Sequence, residues 1–480
     1  MPELLLGLDA GTTTLTACLF TPAGDLLSQA SGAIATTNPA PGLVEQDAAK
    51  IWTQTKRVIR KTLALAGRSA HDVAGLGITT QRTSLVMWDR KTGAPLSPMV
   101  VWSDLRGAGR ATELKALGIG VSPQQAISKL EAVWRAVPDY ESLLAQGRLA
   151  WGNIDSYLIY RLSRGTHVTD RSQAWPLGYL DLQTQAWNQR LIELQGLDIK
   201  AFPTLCDSWG EMATCHPSVL GAAIPIAGDM ADQQAAMVGQ GTEGDGACKV
   251  TYGTSATVNV GTGGKFRFGG PTLPPMVLSG VKGETRFCIE GMIFTAGAAL
   301  DWLRRSFSLG NHAAFEAMAA AAPPESGLAV LPAFQGLGAP HGDLGRRAVI
   351  TGLSLATTPG QIARAGLESI ALRVCEVVER IYGLDDMGPR PDMVRVDGGL
   401  TGNELLLQMQ ADLLGIPIAR HALREATACG AAICAGRGVG LLGATETSGF
   451  VRHDRVFEPA ISADAAASRL NLWRQQVQLG

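Results

Sequence analysis

The chain has 480 residues, 46% hydrophobic and 18% charged, a globular composition rather than the sparse, highly charged one of a disordered chain. Forty-one basic residues stand against 43 acidic ones, a formal net charge of −2, so the basic excess of a nucleic-acid binder is missing. The 57 glycines follow no three-residue period, which excludes a collagen-like chain and points to tight turns and close backbone approaches.

The first predicted element is a strand over Leu4–Asp9, an apolar run closed by Asp. Gly11-Thr12-Thr13-Thr14 then turns the chain into a second strand ending Ala17-Cys18-Leu19-Phe20, a hairpin. A third strand is expected near Asp25–Ser28. A helix follows over Ala48–Ala66, where Ile51, Val58, Ile59 and Leu63 keep helical spacing. Val73–Ile78 reads as a strand entering Thr79-Thr80-Gln81-Arg82-Thr83, with short strands at Val86–Trp88 and Met99–Trp102. Around Ala247 the pattern restarts: Lys249–Val260 is again strand, Gly-Thr turn, strand. Helices are expected over Gly297–Phe307 and from about Thr358 to Tyr382. A strand over Val394–Asp397 runs into Gly398-Gly399, followed by helices over Asn403–Leu414 and Thr427–Gly436. Strands interleaved with helices give an α/β architecture. Two rhyming halves imply two lobes, 1–240 and 247–440, with the Gly-rich segment 239–246 between them and 441–480 as an appendage to the second.

Eight Cys and seven His form no CxxC, HExxH or other metal spacing, so a zinc or iron–sulfur centre is not expected. Cys429 and Cys434 read as small apolar residues of an Ala/Gly-rich helix. Scattered cysteines, no basic region ahead of the first apolar run, and no stretch of 18 apolar residues together predict a cytoplasmic protein without a membrane partner.

A strand closed by Asp and followed by a Gly-Thr turn suits a magnesium–phosphate site. The turn's N–H groups and hydroxyls face phosphate oxygens, and Asp holds Mg²⁺ through water. The second turn, Tyr252-Gly253-Thr254-Ser255, and the strand-to-helix turn Asp397-Gly398-Gly399 complete a set that could grip a nucleotide. Neither the P-loop nor the GxGxxG pattern occurs after a strand. In Ile226–Ala236, Asp229 and Asp232 share a face if the segment is helical, and Asp232 serves as a base or as a helix cap. His341 reads as a loop residue at a cleft edge and Arg346-Arg347 as a solvated pair.

Taken together, GLDAGTTT, ITTQRT, GDMADQQAAMVGQG, VTYGTS, AGAALDWL, LPAFQGLGAP and DGGLTGNELLLQMQADLLG resemble the FGGY family of carbohydrate kinases, from Leu5 to about Gly440. The resemblance implies two actin-like (ribonuclease H-like) lobes around a catalytic cleft, with ATP and Mg²⁺ as cofactors. It implies Asp232 as the catalytic base, Asp9 beside Mg²⁺, Thr12, Thr13 and Thr14 as the first phosphate turn, and Thr254 as the second. Gly297, Gly399 and Asn403 match positions lining the nucleotide site, and Asp301 stands where the glycerol kinase branch has Gln. For the acceptor it implies Arg82, Thr83, Trp102, Asp104, Asp232 and Gln233. Thr83 replaces a Glu of the glycerol kinase branch, Gln124 a Tyr and Thr257 an aromatic ring. Trp102-Ser103-Asp104-Leu105-Arg106 is closer to xylulokinases and gluconokinases. The expected function is transfer from ATP to a primary hydroxyl of a ketose such as xylulose or of a polyol. Glycerol kinase activity is the alternative within the family. An actin-like ATPase, or a sugar-binding relative without catalysis, is the alternative outside it. Relatives of this kind imply a homodimer or homotetramer.

Overall fold

The computed structural model describes residues 2–324, 326–447 and 449–478. Met1, and Ser448, Leu479 and Gly480 of the expected appendage, lie outside the described residues. The chain divides into two compact units. One comprises Met1–Gly241, Val277–Arg286 and Glu425–Val451, the other Thr242–Met276, Phe287–Arg424 and Arg452–Gly480.

In the first unit the apolar run after Glu3 forms β1 (Leu4–Ala10), paired antiparallel with β2 (Thr14–Phe20), which pairs with β3 (Leu26–Ala33). On its other side β1 lies parallel to β4 (Val73–Thr80). Further out stand β5 (Trp209–Cys215) and β6 (Ile224–Ala231), giving the order β5-β6-β4-β1-β2-β3. The helix Ala48–Leu65 is capped by Asp47, whose side chain accepts from the Lys50 N–H. It packs Ile51, Trp52, Val58, Ile59 and Leu63 into the core, each burial worth about 1.5–3 kcal/mol. A second sheet runs in the order Thr36–Thr37, Glu45–Gln46, Met99–Val100, Leu85–Asp89, Leu149–Asn153.

The opposite face of the first sheet is covered by the helix Ala426–Gly438. Contact is backbone to backbone, which is why this helix is built from Ala, Gly and Cys. A Cβ on Gly77 would stand 1.8 Å from the Ala431 carbonyl oxygen, and one on Gly7 2.0 Å from that of Ala428. Cys429 and Cys434 are buried there as small apolar residues. This packing draws residues 425–451 into the first unit, whereas the motif order assigned 425–440 to the second lobe and the tail to its edge; Arg452–Gly480 falls in the second unit.

The second unit repeats the plan. The hairpin β7 (Cys248–Tyr252) and β8 (Ala256–Gly263) is antiparallel, β9 (Glu284–Ile293) pairs with β8 from Phe287 onward, and β10 (Val394–Asp397) lies parallel to β7. β11 (Ile418–His421) and β12 (His453–Phe457) extend it, so that six of the seven strands of this sheet run in the order β9-β8-β7-β10-β11-β12. The helix Pro359–Tyr382, closed at its start by a Thr358/Gln361 capping box, is largely buried in this unit's core. Observed elements fall within a few residues of expectation. β3 is the exception, running to Ala33 because the whole segment pairs with β2.

Candidate active site

Three strands of the first unit end in one row. Ala10 of β1 is in register with Thr80 of β4, and Thr80 with Ala231 of β6. The next residues are Gly11, Gln81 and Asp232. Three sequence-predicted groups therefore leave the sheet side by side at the carboxyl ends of parallel strands, where open α/β sheets bind ligands.

The first turn is closed by the Gly11 N–H donating to the Thr14 carbonyl at 3.1 Å. Thr13 and Thr14 are exposed and Thr12 half-buried. The Thr12 Oγ1 accepts from Trp102 Nε1 at 3.1 Å, so its own proton stays available to an anion. The Thr12 carbonyl accepts from Gln46 Nε2 at 2.7 Å. Trp102 is thereby tied to the Gly11–Thr14 turn.

Asp9 closes β1, with Oδ1 shut off from solvent and without a hydrogen-bond partner among the described residues. Burial, with added negative charge from Asp232 and Glu425, pushes its carboxyl well above the ordinary carboxylate range. Asp232 opens the helix Asp232–Gly239 and keeps 30% of its side chain exposed. One carboxylate oxygen accepts from the Gln233 N–H at 2.8 Å and stands 3.5 Å from Arg82 Nε. Asp229 does not share a helix face with it, because Ile224–Ala231 is strand. Asp229 is instead buried beside Asp155 and Asp170, its Oδ2 accepting from the Asp170 N–H, and burial raises all three carboxyls, that of Asp155 to about 6.

Thr83 follows Arg82 with φ at 53°, a left-handed conformation that β-branched residues avoid and that concentrates at functional sites. Its side chain is a hydroxyl where a carboxylate was the family alternative. Asp104 departs from expectation. It is fully buried and accepts from the Val44 N–H, the Arg106 N–H and the Arg106 guanidinium at 2.7–3.0 Å. Burial opposes its ionisation, yet these bonds hold its carboxyl below the usual range. Asp104 is a strut for the loop, not a donor-facing group for sugar hydroxyls.

In the second unit, Thr254 is exposed at the tip of the β7–β8 turn. Its carbonyl accepts from the Ala296 and Ala298 N–H groups at 2.9 and 3.1 Å, and the Gly297 N–H donates to Gly253 O at 3.0 Å. Gly297 permits that docking, since a Cβ there would lie 2.7 Å from the Gly253 oxygen. Beside it, Gly398 has φ at 96°, and a Cβ would meet the Tyr252 carbonyl at 2.3 Å, while Gly399 faces open space. Asn403 caps the helix Glu404–Leu414 through Oδ1. Asp301 is 42% exposed and paired with Arg304 and His312, so it shows no adenine-reading geometry. Tyr252 is core, its hydroxyl donating to Gln410. His341 pairs with Glu376, and Arg346, expected in solvent, donates to the Val477 carbonyl.

Sequence reading missed Gln46, Ser84, Lys129 and Glu425. None carries a motif. Gln46 and Ser84 matter only because the fold brings them beneath Thr12 and Gln81. Lys129 is fully buried and donates to the Val101 and Trp102 carbonyls at 2.9 and 3.2 Å. Glu425 precedes the Ala/Gly helix that carries it to Asp9.

A Gly-Thr hairpin in each unit, a carboxylate at a strand-to-helix entry and a second carboxylate near the end of β1 are features expected of a phosphotransferase of the actin-like class. The chain belongs to the FGGY family of carbohydrate kinases, matching its N-terminal domain over residues 4–239 and its C-terminal domain over 248–439. It is 37% identical to glycerol kinase of Solidesulfovibrio magneticus over 99% of this chain and 98% of that one. The structure of Plasmodium falciparum glycerol kinase with ADP superimposes with a TM-score of 0.91 at 25% identity, over 99% of this chain and 98% of that one. Xylulose kinase from Rhodospirillum rubrum gives 0.84 at 25% identity, over 99% and 98%. Among the described residues no helix is long and apolar enough to cross a membrane.

Proposed function

We propose that this kinase transfers the terminal phosphoryl group of ATP to a primary hydroxyl of glycerol, with Asp232 as general base. The observation that carries the reading is the row of strand ends that sets Asp232 next to Gln81 and two strands along from the Gly11–Thr14 turn, with one carboxylate oxygen 3.5 Å from Arg82 Nε. The kinship to glycerol kinases supports glycerol over the ketose first expected from sequence. The ketose reading drew on Asp104 as a hydroxyl acceptor, and that carboxylate is spent on Arg106 and Val44.

Phosphoryl transfer is mainly positioning and charge stabilisation. Arg82 orients the Asp232 carboxylate, which takes the acceptor proton as the oxygen attacks, an effect of about 10²–10⁴-fold. Thr12, Thr13 and Thr14 offer hydroxyl and N–H donors to the transferred group. Thr254 and Gly399 of the second unit serve the nucleotide. Asp9 suits Mg²⁺. It presents a buried oxygen without a hydrogen-bond partner among the described residues, within the influence of the negative charges of Asp232 and Glu425. Such a donor set fits a cation that keeps its waters and binds phosphate oxygens. When bound, Mg²⁺ would offset charge on the phosphates.

A second reading, a ketose or longer polyol, rests on the hydroxyl of Thr83 and the amide of Gln124 in place of bulkier or charged groups. An acceptor panel of glycerol, xylulose, ribulose, erythritol and gluconate, followed by ADP release with ATP, separates the two. The proposal expects the highest kcat/KM with glycerol. A tenfold preference for xylulose would replace it with the ketose reading.

A further inference from the structure

Beneath the phosphate turn lies a buried chain of side-chain amides and hydroxyls that no motif announces. Gln46, 2% exposed, sits at its centre. Its Nε2 donates to the Thr12 carbonyl at 2.7 Å and to Thr36 Oγ1 at 2.8 Å, and its Oε1 accepts from Gln81 Nε2 at 3.1 Å. Gln81 also reaches the Gly11 carbonyl, at 3.4 Å, and its Oε1 accepts from Ser84 Oγ at 3.0 Å. Ser84 Oγ in turn accepts from the Trp102 N–H at 3.1 Å, and the Trp102 indole N–H returns to Thr12 Oγ1. The circuit is closed: Thr12, Gln46, Gln81, Ser84, Trp102, Thr12.

We infer that Gln46 is a positioning residue. It fixes the phosphate turn relative to the strand end that carries Arg82, so that acceptor and transferred group are held in line. The inference rests on the reading of Gly11–Thr14 as the phosphate turn. Three features support it. Gln46 spends both donor hydrogens and engages its carbonyl, leaving neither side-chain polar atom without a partner, as expected of a buried polar group with a specific task. Among the described residues its side-chain hydrogen bonds go to the Thr12 carbonyl, Thr36 and Gln81, so it holds the turn's backbone and leaves the Thr12 hydroxyl free to face a ligand. It also supports the one turn residue whose hydroxyl is already oriented by Trp102. An error of about 1 Å in such a turn costs on the order of 10²-fold in rate while leaving binding groups in place.

The test compares Gln46→Met, Gln46→Glu and Thr36→Val in the full-length protein. Gln46→Met fills the same space and removes every hydrogen bond. Gln46→Glu keeps the acceptor for Gln81 but, when ionised, sets an oxygen against the Thr12 carbonyl. Thr36→Val removes only the side branch. Wild-type transfer from ATP to the best acceptor is measured first, and its absence would refute the proposed function without bearing on Gln46. With transfer established, Gln46→Met should lower kcat by about 30–100-fold with acceptor KM within threefold, and Thr36→Val should keep kcat within twofold. Gln46→Glu should be impaired at pH 8 and recover relative to wild type as the pH falls, because a protonated carboxyl again donates to the Thr12 carbonyl. A Gln46→Met kcat within twofold of wild type overturns the assignment. So does a loss that appears only as a lowered melting temperature and unfolded fraction, or a Gln46→Glu pH profile parallel to wild type.

Discussion

Lys129 offers the most quantitative test of the structure around the site. Its ammonium is fully buried beneath Trp102, and burial drives it down from an ordinary 10.5 to about 7, with Asp104 pulling it up and Arg106 pushing it further down. The folded state therefore favours the neutral amine, which still donates to the Val101 and Trp102 carbonyls. A lysine depressed in the fold destabilises most below its folded pKa, where the charge is buried, and the penalty fades as pH rises toward the unfolded value. At about 1.36 kcal/mol for each factor of ten in proton affinity, the fall from 10.5 to about 7 is worth at most ~5 kcal/mol. Between pH 7 and 9.5 the linkage relation gives a gain of about 3 kcal/mol. Urea unfolding of wild type and Lys129→Met across that range isolates the residue, because shared titrations cancel in the difference. Wild type should gain about 3 kcal/mol on the variant between the two ends. A flat difference, or one falling with pH, would mean that the amine stays charged in the fold and that this view of the Trp102 support is wrong.

Other expected outcomes follow from single contacts. Asp232→Asn should retain ATP binding by calorimetry while losing transfer by about 10²–10⁴-fold, since on the proposed mechanism only the base is removed. Asp9→Asn should abolish transfer yet raise the melting temperature of the metal-free protein. The wild-type carboxyl is pushed above its ordinary 3.8, so its folding penalty grows as pH climbs past about 4 and is complete above the folded value, and calorimetric scans at pH 5 and pH 8 should show a wider gap at pH 8. Gly77→Ala would set a methyl 1.8 Å from the Ala431 oxygen and should cost at least ~3 kcal/mol or prevent folding, read from denaturant midpoints.

Much of this was legible in the chain. Hairpins with Gly-Thr turns write themselves into local sequence, because apolar runs, turn residues and β-branched side chains lie within a dozen positions. Asp9, Asp232 and Thr254 stand in such local patterns, and each sits at a strand end or turn. What sequence could not disclose depends on distant pairing. Asp104 looked like a hydroxyl acceptor until the fold brought Val44, 60 residues away, and Arg106 onto its oxygens. Glu425 belongs beside Asp9 only because the Ala/Gly helix lies across the first sheet, a placement set by Gly7 and Gly77 against Ala428 and Ala431. Gln46 is silent in sequence because a buried glutamine is identified by its partners, not by its neighbours. Asp229 was offered a helical face that strand pairing with β4 withdrew.

The central claim is transfer of a phosphoryl group to a primary polyol hydroxyl under the control of Asp232. Phosphorus NMR of a reaction containing ATP, Mg²⁺ and glycerol reads it directly. The account predicts one new phosphomonoester resonance growing in step with ADP for wild type and absent for Asp232→Asn. ADP appearing with inorganic phosphate and no phosphomonoester, or an undiminished ester signal from Asp232→Asn, would contradict it.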